Sequence, residues 1–187
     1  PEKVEFNADR SLHYKNTLKA TKELNEFATK LKIPLLFETS CLTESRMGKD
    51  GEKRIFFWDQ PSPLNIEEIA NKNDLNLVQD FAHMSTWIPT SDRKKRLKIL
   101  KEFSGKLKPY TKLIHIGSLD PSSIGYDTDN GLTKKEIENG NFPNWQEVQE
   151  LLKDLNKKNM LAICEPQIEL KNHLWHYKKL RKLVRNL

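Results

Sequence analysis

The sequence predicts an α/β protein whose strands run parallel as part of a (β/α) barrel, and two observations predict it. Apolar patterns with a helical repeat alternate with short strand-like apolar runs from Leu24 to the end of the chain, which implies parallel strands joined by right-handed crossovers. The polar residues of these runs also fall at one level. Glu38, Asp80 with His83, His115 and Glu165 each stand at or just beyond the C-terminal end of a run. In a parallel barrel those ends share one face, where active sites are built.

Taken in order, Val4-Glu5-Phe6 is a brief extended candidate ending at Asn7. Leu24, Phe27, Ala28 and Leu31 recur at helical spacing between lysines and glutamates, which predicts a helix with one core face. The run from Ile33 to Phe37 predicts a strand that stops at Glu38, with Pro34 tolerated near its start. Residues 39 to 64 read as an irregular loop punctuated by Gly48, Gly51, Pro61 and Pro63 and carrying Phe56, Phe57 and Trp58. Asn65 with Glu68 forms a capping-box-like start for a short helix containing Ile66, Ile69 and Ala70. A second strand, Leu75 to Gln79, ends at Asp80, and the loop behind it holds His83 and Trp87.

Leu97, Leu100, Phe103 and Leu107 define the next amphipathic helix, which Pro109 terminates. Leu113, Ile114 and Ile116 then suit a buried strand, interrupted by His115, and the following loop offers Asp120, Asp127 and Asp129. Asn144 with Glu147 marks a further helix start, and Trp145, Val148, Leu151, Leu152 and Leu155 form its apolar stripe. Met160 to Cys164 is the fourth strand, ending at Glu165 and closed by Pro166. The last helix carries Leu174, Tyr177, Leu180, Val184 and Leu187, with basic residues near its C-terminus that suit the helix dipole.

The 187 residues suffice for one domain with a sizeable core, and 31% charged against 36% hydrophobic residues fit a soluble globular chain. No run approaches the roughly 18 to 20 apolar residues that cross a bilayer, and the start is not signal-like. A cytoplasmic or nuclear setting is expected. Cys41 and Cys164 form no CxxC pattern and read as reduced thiols. The net charge of +6 favours approach to a polyanion.

Carboxylates and imidazoles converging on one rim have the donor types of a first-row metal site, for Zn, Mn, Mg or Fe. A site of that kind generates a hydroxide nucleophile and neutralises a phosphate or an enediolate, so two reaction classes are open. His13, His173 and His176 lie on helices away from the strand ends and read as surface or core histidines. The basic cluster Arg93 to Lys98 reads as a solvated helix face, and secondarily as a phosphate contact.

These residues resemble the xylose-isomerase-like barrel superfamily of TIM type, and within it the endonuclease IV family of apurinic/apyrimidinic endonucleases. Leu36-Phe37-Glu38-Thr39-Ser40, running on through Ser45-Arg46-Met47-Gly48, resembles the family's Leu-Glu-Asn-Thr segment and its later glycine. Leu77 to His83 resembles its Leu-Asp-Thr-x-His segment, and Cys164-Glu165-Pro166 its last Glu-Thr-Pro. His115 followed by Asp127 and Asp129 resembles the segment in which a histidine precedes Asp-x-His, with Asp129 standing where the family has histidine.

The resemblance implies a single domain over 1–187 that forms the C-terminal half of a barrel, about four to five βα units, since a full barrel has eight strands over roughly 250 residues. It implies that Glu38 bridges two metals, that Asp80, His115 and Glu165 complete the inner set, and that His83, Asp127 and Asp129 hold an outer ion. Glu38 and Glu165 would serve catalysis, and Asn7, Trp87 and Arg46 would meet substrate. Asn7 stands where the family places a metal-binding histidine at the fourth strand's end. The implied activity is zinc-dependent cleavage of DNA at abasic sites with the damaged nucleotide flipped out, and the missing strands would come from an N-terminal half-barrel or a partner chain. A sugar isomerase or epimerase of the same superfamily, with one divalent metal on Glu38, Asp80, His115 and Glu165 and an enediolate intermediate, fits the inner set equally. Asn139 to Trp145 also resembles a stretch of those enzymes. A binding module that keeps the rim without metal or catalysis is the third reading.

Overall fold

The computed structural model describes residues 10–41, 43–47, 53–57, 63–123, 127–128, 130–156, 160–164 and 170–184. In chain order these form α1 (Arg10–Lys30), β1 (Leu36–Glu38), β2 (Thr43–Met47), β3 (Lys53–Phe57), α2 (Pro63–Asn73), β4 (Asn76–Asp80), α3 (Phe81–Thr86), α4 (Arg93–Leu107), β5 (Thr111–Ile116), α5 (Lys134–Glu138), α6 (Trp145–Leu155), β6 (Leu161–Cys164) and α7 (Leu170–Val184). The extended candidate Val4 to Phe6, with Asn7, lies outside the described residues.

Strands β1, β4, β5 and β6 form one parallel sheet in that order, so each strand lies beside its predecessor among the parallel strands. Val78 pairs with Glu38, His115 with Asp80, and Cys164 with Ile116. Because side chains alternate along a strand, Leu77, Gln79, Ile114 and Ile116 share one face, and all four are almost completely buried. That face meets the helices. Ile69 of α2, Leu100 of α4 and Val148 and Leu151 of α6 join these strand residues in one apolar cluster. The buried amide of Gln79 fits there because it is satisfied: Nε2 donates to the Ser104 carbonyl and to Thr111 Oγ1, while Oε1 accepts from Ser104 Oγ at 2.7 Å. The opposite face carries Glu38, Val78, Asp80, Leu113 and His115, and beside them Leu161 and Ile163 of β6 are 67% and 45% exposed.

Several boundaries differ from the sequence expectation for local reasons. β1 begins at Leu36 rather than Ile33 and includes Glu38; Pro34 has no N–H for the ladder, and the Ile33 N–H closes α1 by bonding the Ala28 carbonyl. The stretch expected as irregular loop contains the antiparallel hairpin β2–β3, in which Thr43 faces Phe57 and Glu44 faces Phe56. α2 starts at Pro63, two residues before the expected cap Asn65, since proline's fixed φ and missing N–H suit the first helical position. The loop expected after β4 is instead the short helix α3. At Asn144 the expectation holds in detail: its side chain caps Gln146 and Glu147, and Glu147 reaches back to the Asn144 N–H.

The outermost helices depart from their expected core faces. On α1, Ala28 is buried while Leu24 and Phe27, and Leu31 just beyond its end, are exposed; on α7, Leu180 and His176 are buried while Leu174 and Tyr177 are exposed. His176 is a core histidine whose Nε2 accepts the Leu132 N–H at 2.9 Å. The side chains of His13 and His173 lie outside the described residues. Among the described residues, no helix is long and apolar enough to cross a membrane.

Candidate metal centre

Glu38 and Asp80 are the last residues of β1 and β4, and His115 is the penultimate residue of β5. Parallel pairing puts all three at one rim and on the face that the helices leave open. Glu38 extends across β4, so that His115 Nδ1 lies 2.9 Å from Glu38 Oε1 and 3.8 Å from Asp80 Oδ2. A carboxylate oxygen only accepts, so the imidazole Nδ1–H donates to Glu38. Burial draws the Glu38 carboxyl upward, but the His115 hydrogen bond and the charges of His115 and His83 outweigh it and hold the group below its ordinary range.

His83 enters the same site because α3 begins directly after Asp80. Asp80 caps the helix through Oδ1, which accepts the His83 N–H at 2.8 Å. The imidazole then turns back toward β1, where Nδ1–H donates to the Thr39 carbonyl at 2.9 Å. Its Nε2 lies 3.1 Å from Asp127 Oδ2. With one nitrogen donating to a carbonyl and the other facing a carboxylate, His83 is held as an imidazolium. Burial opposes that charge, yet the Asp127 hydrogen bond, the charges of Asp80 and Asp127, and the Thr39 contact push its pKa up to about 10. Asp80 is buried, and burial raises its carboxyl above the ordinary range against the pull of His83's charge and backbone N–H.

The donor set fits a divalent ion. Donors about 2.1 Å from a tetrahedral ion stand about 3.4 Å apart, and Glu38 Oε1 lies 2.9 Å from His115 Nδ1. Asp80 Oδ2 lies 3.8 Å from the same nitrogen. Glu38, Asp80 and His83 each bring a ligand atom within 4.8 Å of the others. Metal-bound histidines commonly give their second ring N–H to a carbonyl. The Thr39 contact meets that condition and leaves Nε2 facing Asp127.

Five of the expected site residues are therefore brought together: Glu38, Asp80, His83, His115 and Asp127. Asp129 and Glu165 lie outside the described residues, as does the side chain of Arg46, whose backbone pairs with Arg54 in the hairpin. Trp87, at the C-terminus of α3, is half-buried and gives its indole N–H to the Ser40 carbonyl at 2.8 Å. Thr39 was not among the expected residues although it is buried against both Asp80 and His83, its Oγ1 accepting the Asp80 N–H at 2.9 Å. Its only sequence signal is its place directly after Glu38.

The basic cluster on α4 also differs from its expected solvated state. Lys94, Lys95 and Lys98 are exposed, but Arg93 forms a paired contact with Glu147, Nε–Oε1 2.6 Å and Nη2–Oε2 2.7 Å. Arg96 is 2% exposed. A planar fork matches carboxylate and carbonyl groups where an ammonium does not, which separates the arginines from the lysines. Against known proteins, the chain matches no protein-family model and no curated sequence.

Proposed function

We propose that the chain is the C-terminal half of a xylose-isomerase-like (β/α)8 barrel and cleaves the phosphodiester backbone of DNA at abasic sites with divalent metal, zinc in preference to manganese or magnesium. The observation that carries the reading is the pair His83–Asp127, at 3.1 Å, beside the inner group Glu38, Asp80 and His115. Two adjoining donor sets suit a multi-metal phosphodiesterase. The sequential order of four parallel strands, with helices on one face and the exposed Leu161 and Ile163 of β6 on the other, supports the half-barrel. The net charge of +6 suits a polyanionic substrate. Such a protein would work in the cytoplasm or nucleus.

In this reading Glu38, Asp80 and His115 hold the inner metal with Glu165, which follows β6 directly in the chain. His83 and Asp127 hold the outer one, with Asp129 two residues further on. A bound divalent ion supplies Lewis acidity toward phosphoryl oxygens and a nucleophile at neutral pH. The chain's own contribution is orientation and charge: Thr39 fixes Asp80 and His83 through two hydrogen bonds, and Glu38 stays ionised beside His115. Asn7, Arg46 and Trp87 are assigned to substrate.

The inner group alone also suits a single-metal sugar isomerase or epimerase, because Glu38, Asp80 and His115 lie on three neighbouring parallel strands. An abasic-site duplex incubated with zinc-loaded protein separates the two. Cleavage abolished by chelator, by Glu165→Gln and by Asp127→Asn supports the nuclease. An intact duplex together with aldose–ketose interconversion would transfer the site to the isomerase, and absence of both activities and of bound metal to the non-catalytic module.

A further inference from the structure

Arg96 lies in the first turn of α4, where it touches both elements that carry the His83–Asp127 pair. Its Nη2 donates to the Ser123 carbonyl at 3.0 Å and reaches the Ser85 carbonyl at 3.4 Å. Ser85 stands two residues beyond His83 on α3, and Ser123 four residues before Asp127 in the β5–α5 loop. The guanidinium carbon rests 4.8 Å from the centroid of Phe142, and Phe142 pairs with Leu119 of the same loop. Arg93 fastens the connection from α5 to α6, to which Phe142 belongs, by donating to the Gly140 and Asn141 carbonyls.

Arg96 Nε and Ser123 Oγ are buried without a hydrogen-bond partner among the described residues. Simple packing against Phe142 would favour an apolar side chain, which leaves no buried donor unmet. Nη2 reaches carbonyls on two separate elements while the guanidinium carbon stands over the Phe142 ring, a combination that a compact lysine ammonium does not reproduce. We propose that Arg96 is a positioning residue that sets His83 against Asp127 and thereby shapes the outer metal-binding pair, an assignment that rests on the metal reading above.

The test titrates Zn2+ into the metal-free wild-type chain and into Arg96→Lys and Arg96→Met by calorimetry, with circular dichroism to confirm folding. His83→Ala marks the outer class of site and His115→Ala the inner. Loss of a supporting partner weakens metal binding by about 10 to 100-fold; both Arg96 variants are expected to lose outer-site affinity by that factor while the inner class stays within about twofold. If Arg96→Met does not fold, Arg96→Lys decides; failure of both to fold makes Arg96 a core residue and overturns the assignment. Unchanged outer binding in a folded variant overturns the positioning role alone. A wild-type chain that binds no Zn2+ overturns the metal reading and the positioning role with it.

Discussion

Replacing Asp80 with asparagine separates two jobs done by one carboxylate. As the N-cap of α3, Asp80 accepts the His83 N–H at 2.8 Å, and asparagine ranks with aspartate at that position. As a donor to metal, its Oδ2 faces His115 and His83 at 3.8 Å and 4.0 Å, and asparagine brings no charge there. Burial disfavours the ionised form of Asp80, and relief from that burial offsets the lost attraction to the His83 charge, so removing the charge costs the metal-free fold little. The expected change in unfolding free energy is within about 1 kcal/mol. Losing even an indirect partner weakens metal sites by about 10 to 100-fold, so losing a direct carboxylate ligand weakens Zn2+ binding by about 100-fold or more, about 2.8 kcal/mol. Asp80→Ala also removes the cap and destabilises the metal-free chain by a further ~1 kcal/mol. Urea denaturation and calorimetric Zn2+ titration read the two quantities separately. An Asp80→Asn chain destabilised by about 3 kcal/mol with unaltered Zn2+ affinity would rule out a ligand role and leave Asp80 a structural cap.

Four further outcomes are expected. His83 has a folded pKa of about 10 against an ordinary 6.5, so its stabilisation is complete below about pH 6.5 and is lost as pH rises through about 10; urea midpoints of the metal-free chain should fall across that window, and His83→Gln should flatten the slope. The same imidazolium must lose a proton to bind metal through Nε2, so Zn2+ uptake near pH 7 releases protons, measurable by calorimetry in buffers of different ionisation enthalpy. Leu151→Ala, at a fully buried position of α6, should cost about 3 kcal/mol of unfolding free energy. Burial pushes the Cys164 thiol up to about 12, so iodoacetamide should label it slowly near pH 8 in the folded chain and quickly in urea, as read by mass spectrometry.

Local signals carried the fold where the physics is local. Asn144 with Glu147 fixed the start of α6 because a capping box depends only on residues three apart, and the strand-end positions of Glu38, Asp80 and His115 survived because a short apolar run marks a buried strand wherever it pairs. The hairpin was hidden because Thr43–Met47 and Lys53–Phe57 alternate poorly. α3, at six residues, is too short to express a helical period, and its placement comes from the Asp80 cap. Burial of Arg96 depends on Phe142, Ser85 and Ser123, all distant in sequence, so a run of basic residues gave no hint of it. The apolar stripes of α1 and α7 correctly marked helices, although Leu24, Phe27, Leu174 and Tyr177 of those stripes are exposed.

We propose that Glu38, Asp80, His83, His115 and Asp127 form a metal centre at the sheet's rim. Equilibrium dialysis of the chelator-treated chain against Zn2+, followed by elemental analysis, tests it most directly. The expected result is at least one tightly held ion per chain in the wild type, with occupancy lost in Glu38→Gln and His115→Ala chains that remain folded. A folded wild-type chain that retains no zinc, manganese or magnesium, or one whose bound ion survives both substitutions, would contradict it.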